Sequence, residues 1–301
     1  MNIIGKKYWY FAFSLLIIIP GLISLLLWGL NLSIDFTGGS QTTFSFTQKV
    51  DQSVIDKVTN AFTNEKIKVY SVETSNNLAI IRTKEVSQVE NNKVVSQITN
   101  EFKGSKEVEL NTVGPTIGGE TTANAVKAII IASLLIVLYI TWSFRSVPKP
   151  TSSFRFGVSA IVALLHDVLV LIGLFSILGH FFGIQVDSLF VTAVLTVIGF
   201  SVHDTIVVFD RIRENLRRTA GLPFEKVVNE SILQTLDRSL NTSMTVILVL
   251  LALLIFGGDT IRWFVVALLI GIVSGTYSSI FNASPLLVLW QEISDKRKSG
   301  R

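Results

Sequence analysis

Val197–Asn215, VIGFSVHDTIVVFDRIREN, decides how this chain is to be read. Its first half is apolar enough for a bilayer yet carries His203 and Asp204, and its second half holds Asp210, Arg211, Arg213 and Glu214. The pattern predicts a helix that leaves a membrane through its charged end with one carboxyl still inside. An ionised Asp near a bilayer centre costs about 2.5–3.5 kcal/mol on insertion scales, so such a residue faces a protein interior or a wet path. Burial disfavours the charged form of a carboxyl, and a carboxyl so treated can exchange its proton near neutral pH. Two readings of Asp204 follow. It is a proton carrier, or a protonated acid that glues its helix to a neighbour.

Working outward, the composition supports the membrane. Of 301 residues 49% are hydrophobic and 16% charged, against about 25% charged in soluble domains. The charges are crowded into a few segments, which predicts a polytopic membrane protein. The absence of cysteine excludes a disulfide framework, a thiolate metal site and a cysteine nucleophile. The three histidines are scattered without metal-ligand spacing, so no metal is expected. A net charge of +4 raises the question of nucleic acid, but the Lys and Arg flank apolar runs. Topology accounts for them instead.

The first apolar run, Tyr8–Leu30, follows Lys6 and Lys7. A secretory core is only about 7 to 15 residues and ends at a small-residue cleavage site, whereas this run is longer and leads into NLSIDFTGGS. It predicts an uncleaved signal anchor. Further spans are expected at Ala123–Trp142, Gly157–Leu178, Leu189–Val208, Leu240–Phe256 and Trp263–Trp290, each near the ~20 residues a crossing needs. Arg145, Lys149 and Arg155 fall between spans two and three. Arg211, Arg213, Arg217, Arg218, Lys226 and Arg238 fall between four and five, and Lys296, Arg297, Lys298 and Arg301 form the tail. The opposite short loops hold only Arg262. The positive-inside rule then gives six spans with both termini cytoplasmic and residues 31–122 outside as a head. Residues 1–30 are the N-terminus and first helix, 123–290 the remaining helices, and 291–301 a basic cytoplasmic tail. Span six is long enough to tilt, or to break at Pro285. Its Gly271 and Gly275 form a small-xxx-small face for close helix packing.

Within the head, alternation predicts strands at Gln41–Thr47, Ile67–Val72, Leu78–Thr83 and Val108–Val113. Helical spacing marks Gln52–Phe62 and Val86–Phe102. The order β-α-β-β-α-β is that of a ferredoxin-like α+β domain. No catalytic pair stands out in it, and its sheet face or edge is a candidate for binding an extended chain by strand addition. Two glycine-rich elements flank it: Asp35, Phe36, Thr37, Gly38 and Gly39 after span one, and VGPTIGGE, with Gly114, Pro115, Gly118 and Gly119, before span two. They are read either as tight turns or as hinges on which the head moves. Neither is a phosphate loop, because the G-x-x-x-x-G-K-[ST] pattern is missing.

Polar residues recur inside the spans. His166 and Asp167 lie in span three, His203 and Asp204 in span four, and Asp237, Arg238, Asn241, Thr242, Ser243 and Thr245 open span five. At about 1.5 Å per residue, Asp204 is roughly 10 Å in from Arg211. All of these groups are expected to converge in the cytoplasmic half. Arg238 has two readings, a member of that cluster or a snorkelling topology anchor.

Taken together, these residues resemble the SecD/SecF family of bacterial protein-export membrane proteins, itself similar to the resistance-nodulation-division (RND) superfamily. The resemblance covers nearly the whole chain: DFTGG at Asp35–Gly39, VGPTIGGE at Val113–Glu120, HD at His166–Asp167, GFSVHDTIVVFDRIREN at Gly199–Asn215, QTLDRSLNTS at Gln234–Ser243 and FGGDTIR at Phe256–Arg262. It implies an α-helical RND half-unit of six transmembrane helices with the inserted ferredoxin-like head, in the bacterial plasma membrane. It implies no enzyme and no cofactor, the energy coming from the proton gradient. Proton flow through the positions of Asp204 and Arg238 is implied, to drive head movements that draw a preprotein outward. The implied partners are SecD, the SecYEG channel, the translocating preprotein and membrane lipid, with YidC and YajC as further ones. His203 stands where the family usually has Asn, and Asp237 where it has a small polar residue. The proton-relay set is therefore read as Asp204, Arg238, His203, Asp237, His166 and Asp167, titrating as a coupled unit. Two other functions stay open, a half-transporter exporting a small molecule or lipid and a passive scaffold of the translocon.

Overall fold

The computed structural model describes residues 2–148, 150–219 and 221–299. The topology charges Lys149 and Arg301 lie outside the described residues, as does the side chain of Lys298. The chain divides into two compact units. One comprises Met1–Leu30, Lys127–Ile184 and Leu189–Arg301, and the other Asn31–Val126 with Gln185–Ser188.

The first long helix, α1 (Lys7–Trp28), follows a single 3-10 turn at Ile4–Lys6. Lys7, which flanks the first apolar run, is buried and ion-paired with Glu292. The second unit then opens with one helical turn, α2 (Ile34–Thr37). It runs on through β1 (Gly39–Ser45), α3 (Gln52–Asn64), β2 (Val69–Ser75), β3 (Leu78–Thr83), α4 (Gln88–Glu101) and β4 (Lys106–Val113).

All strand pairs are antiparallel, in the order β2-β3-β1-β4. This is the ferredoxin-like arrangement. Strand residues alternate between faces, so Phe44, Phe46, Ala79 and Ile81 turn to one side. There they meet Val54, Val58 and Phe62 of α3 and Val94 and Ile98 of α4, all buried at helical spacing. Each helix starts at a cap. Asp51 accepts the Val54 amide, and Ser87 with Glu90 forms a capping box. Strand limits differ from the sequence reading by about two residues because Gly39 and Ser40 already pair with Val113 and Thr112.

Between the two glycine-rich elements the backbone approaches closely. Gly38 and Gly39 have φ of +71° and +121°, which glycine adopts freely. A Cβ on Gly118 would lie 2.8 Å from the Gly38 nitrogen and 3.0 Å from the Phe36 carbonyl oxygen. Only a residue without a side chain fits there. VGPTIGGE is not a turn, however. Pro115 opens α5 (Pro115–Ser143), where its missing N–H costs nothing and its fixed φ suits the first helical position. Gly118 and Gly119 are therefore helical.

After α5 come α6 (Ser153–Phe182), α7 (Ser188–Arg218), α8 (Phe224–Phe256), α9 (Asp259–Ser278), a π-helical segment at Ser279–Ala283, and α10 (Ser284–Ser299). Among the described residues six helices are long and apolar enough to cross a membrane. They outrun the hydropathy limits, because helical hydrogen bonding continues past the apolar stretch into charged turns. Arg211, Arg213, Arg217 and Arg218 are the last turns of α7, and Lys226 and Arg238 lie inside α8 rather than in a loop. Span six does not break at Pro285. The five-residue π segment stands just before it, placing the proline's missing donor at a point where the ordinary i→i−4 ladder has already been interrupted. Helices α1 and α6 cross at glycines, where a Cβ on Gly21 would meet the Gly173 Cα at 2.9 Å.

On the sheet face away from the head's helices, Arg82 donates to both oxygens of Glu73 at 2.9 and 3.1 Å, and to Gln41 and Ser71 at 3.2 Å. Desolvation pushes the Glu73 carboxyl above its usual 4.5 although Arg82 opposes it, and it pulls Arg82 below its own ordinary value. Folded Glu73 thus holds its proton more tightly than the unfolded chain does. Its contribution to stability is complete below about pH 4.5 and is lost as the pH rises through the raised folded value. Glu73→Gln removes this titration, so the slope of head stability against pH just above 4.5 should become more positive than in the parent. Denaturant unfolding at several pH values measures it, and parallel slopes would contradict the assignment.

Candidate functional site

The face that Gly271 and Gly275 keep clear on α9 is where α7 packs. A Cβ on Gly275 would meet that of Ser201 at 3.0 Å, and one on Gly271 would overlap Val197. Backbones this close bring short hydroxyl side chains on neighbouring helices within hydrogen-bonding range. On α9 and the π segment these are Ser274, Thr276, Ser278 and Ser279. On α7 they are Ser201 and Thr205, and on α8 Ser243. Spacing of three and four residues pairs Ser274 with Ser278, Thr276 with Ser279, and Ser201 with Thr205, each pair on one face of its helix.

Two carboxyls sit among these hydroxyls in different circumstances. Asp167 of α6 is fully buried. Its Oδ2 accepts from Ser201 and Ser278 Oγ, both at 2.6 Å, and its Oδ1 from Ser274 Oγ at 2.7 Å, with His166 Nδ1 at 2.9 Å. Four donors reach one carboxylate, about the number of lone-pair sites it offers. Ser201 and Ser274 make no other side-chain hydrogen bond among the described residues, so their protons are committed to Asp167. Among the described residues His166 Nε2 is buried without a hydrogen-bond partner, and Nδ1 is the ring nitrogen that faces Asp167.

Asp204 of α7 is buried as well, but its bonds are long and shared. Thr276 Oγ1 lies 3.3 Å and Ser243 Oγ 3.4 Å from its Oδ2, while His203 Nδ1 stands 3.6 Å from Oδ1. Each hydroxyl carries one proton. Thr276 and Ser243 are 2.6 Å from each other, and Thr276 also reaches the Ile272 carbonyl at 2.9 Å. The two hydroxyl protons are thus shared among the Asp204 carboxylate, the oxygens of the two hydroxyls and the Ile272 carbonyl, which the helix already supplies with the Thr276 amide. Beside this site Thr205 Oγ1 and Ser279 Oγ are 2.8 Å apart, and Ser14 of α1 exchanges bonds of 3.0 and 2.8 Å with Asn282.

Of the six residues expected to converge, the structure gathers His166, Asp167 and Asp204. The His203 side chain is 64% exposed and touches Asp204 only from the rim. Asp237 and Arg238 are exposed on α8, and among the described residues neither bonds to Asp204. The helical period explains this: Ser239 and Ser243 occupy the inner face of α8, and Asp237 and Arg238 fall on the outer one. Sequence reasoning missed Ser201, Ser274, Thr276 and Ser278. The signal for the last three was the run GIVSGTYSS at Gly271–Ser279, where small and hydroxyl residues recur at helical intervals.

Comparison with known proteins agrees with this architecture. A family described as "Protein export membrane protein SecD/SecF, C-terminal" matches residues 93–293, and the "SecD/SecF GG Motif" matches residues 23–50. A protein translocase subunit SecF of Thermobaculum terrenum is 51% identical, over 97% of this chain and 94% of its own. Another, of Anaerolinea thermophila, is 48% identical with the same coverage. The crystal structure of SecDF from Thermus thermophilus, titled a translocon-associated membrane protein, matches with a TM-score of 0.85 and 32% identity over 97% of this chain. This chain spans 39% of that longer one.

Removing a hydroxyl from Asp167 strands part of a buried carboxylate, which costs about 1–3 kcal/mol. Ser201→Ala and Ser278→Ala should each lower the thermal midpoint of the purified protein, and Ser201→Ala more, because Ser278 also has the Gly275 carbonyl as an alternative partner. Unchanged midpoints in both variants would remove Asp167 as the structural centre.

Proposed function

The chain belongs to the SecD/SecF family of protein export membrane proteins, and on that premise we propose that it is an accessory subunit of the Sec protein translocase that couples proton movement to preprotein export. One observation carries the proposal: Asp204 is buried among hydroxyls whose bonds to it are long and shared with one another. When Asp204 binds a proton, its O–H donates to Ser243 or Thr276. When it releases the proton, those hydroxyls must turn toward the carboxylate, and Thr276 has to choose between Asp204 and the Ile272 carbonyl. Proton exchange thus redistributes hydrogen bonds among α7, α8 and α9, the kind of local change that biases a packed two-state element. One charge crossing 100 mV supplies about 2.3 kcal/mol, which shifts a two-state equilibrium roughly fiftyfold.

Asp167, saturated with donors, serves as a fixed reference in this scheme, with His166 orienting it. The exposed His203, Asp237 and Arg238 mark the faces where a partner completes the pathway, and Arg238 takes part in proton flow once covered. SecD is that partner. In SecDF the region similar to this chain is joined to further chain. The complex stands in the bacterial plasma membrane beside SecYEG, with YidC and YajC as neighbours. Both termini are cytoplasmic, and the head faces outward on its glycine-rich connections to act on the emerging polypeptide.

Asp204→Asn keeps the shape of the side chain and removes its titration. Export of a preprotein into energised vesicles carrying the variant should fall to the level of vesicles without the chain, while SecD still copurifies. Full proton-gradient stimulation in this variant would falsify the coupling.

A further inference from the structure

The sequence motif that the proton site leaves unexplained is Asp35–Gly39. Its acidic residue has a specific partner. Asp35 Oδ2 accepts both the backbone N–H of Ser188 at 2.9 Å and the Ser188 hydroxyl at 2.6 Å. Ser188 is the first residue of α7, so the carboxylate lies at the positive end of the helix that carries Asp204.

The surroundings fix this contact from both sides. Leu32 forms a parallel bridge with Val186, the Ser33 amide donates to the Val186 carbonyl at 2.9 Å, and the Val186 amide donates to the Asn31 carbonyl at 2.8 Å. Asp35 itself rides on α2. Ser33 Oγ caps that turn at its start by accepting the Asp35 amide at 3.2 Å, and the Gly38 amide closes it by donating to the Ile34 carbonyl at 2.9 Å. One residue further, Gly39 begins β1, which lies between β3 and β4 in the head's sheet. A short covalent and hydrogen-bonded path therefore leads from an inner strand of the head to the start of α7. Asp204 lies about 24 Å further along that unbroken helix, at about 1.5 Å per residue.

We propose that Asp35 is a positioning residue whose carboxylate fastens the base of the head to the N-terminus of the helix carrying Asp204, so that displacement of that helix is delivered to β1. The motif's two glycines and its acid have complementary parts. Gly38 and Gly39 allow the chain to turn directly from α2 into the sheet, and Asp35 holds the turn against α7. The inference rests on the proposed role of Asp204.

Its test is a comparison of three variants in proton-stimulated export, each reconstituted with SecD and SecYEG. Asparagine caps a helix about as well as aspartate, whereas alanine gives up the cap at a cost equivalent to roughly a fivefold change in population. Asp35→Ala should lose most of the stimulation, about fivefold. Asp35→Asn should retain most of it, with both variants present in the membrane at parental levels. Asp204→Asn run alongside separates the two ideas. If Asp204→Asn is fully stimulated, the proton reading fails. If Asp204→Asn is dead but Asp35→Ala is fully stimulated, only the fastening fails. The chain has no cysteine, so a disulfide between Leu32→Cys and Val186→Cys, on neighbouring bridge partners, gives a second measurement. Locked protein should export as the reduced form does, and loss of stimulation on oxidation would overturn the proposal by showing that the joint has to open.

Discussion

A carboxylate placed where no water can reach it must be given its hydrogen bonds by the protein, and that demand at Asp167 organises the membrane unit. Its donors come from three helices: His166 from α6 itself, Ser201 from α7, Ser274 and Ser278 from α9. Lipid gives helices little hydrophobic reason to prefer one neighbour over another, so packing and polar contacts fix the arrangement. The hydroxyls can reach the acid only because Gly271 and Gly275 let α9 close on α7. Close packing and polar satisfaction are here a single requirement.

Asp204 shows what happens when the same ingredients are provided in smaller measure. It lies three residues beyond Ser201 on the same helix and meets hydroxyls already engaged with one another. One acid is saturated with donors and the other shares its donors with neighbouring groups. The charged residues of this region also differ in exposure. Those bonded inside are held by the fold, and Asp237 and Arg238 lie on an outer face of α8.

Much of this was legible in the sequence. Six apolar runs gave the spans, alternation and helical spacing gave the βαββαβ head, and Gly271 with Gly275 announced a close contact. What could not be read depended on the third dimension. Hydropathy ends a span where apolar residues end, so it could not see α8 beginning at Phe224. Linear depth put Asp237 and Arg238 level with Asp204, but the helical period turns them away. The serines around Asp167 look neutral one at a time and acquire meaning only once a carboxylate stands opposite. The pairing of Asp35 with Ser188 joins residues 153 positions apart, beyond any periodicity argument.

The π-helical segment at Ser279–Ala283 has a mechanical side. A stretch with a wider turn, followed at once by a proline that can donate no amide, has fewer and poorer axial hydrogen bonds than the helices on either side of it. Flexural stiffness along span six is therefore lowest there, one turn from the serines that hold Asp167. A bend at that soft joint changes the angle between α9 and α10, while Arg155 of α6 and Lys7 of α1 keep α10 tied to the rest of the bundle.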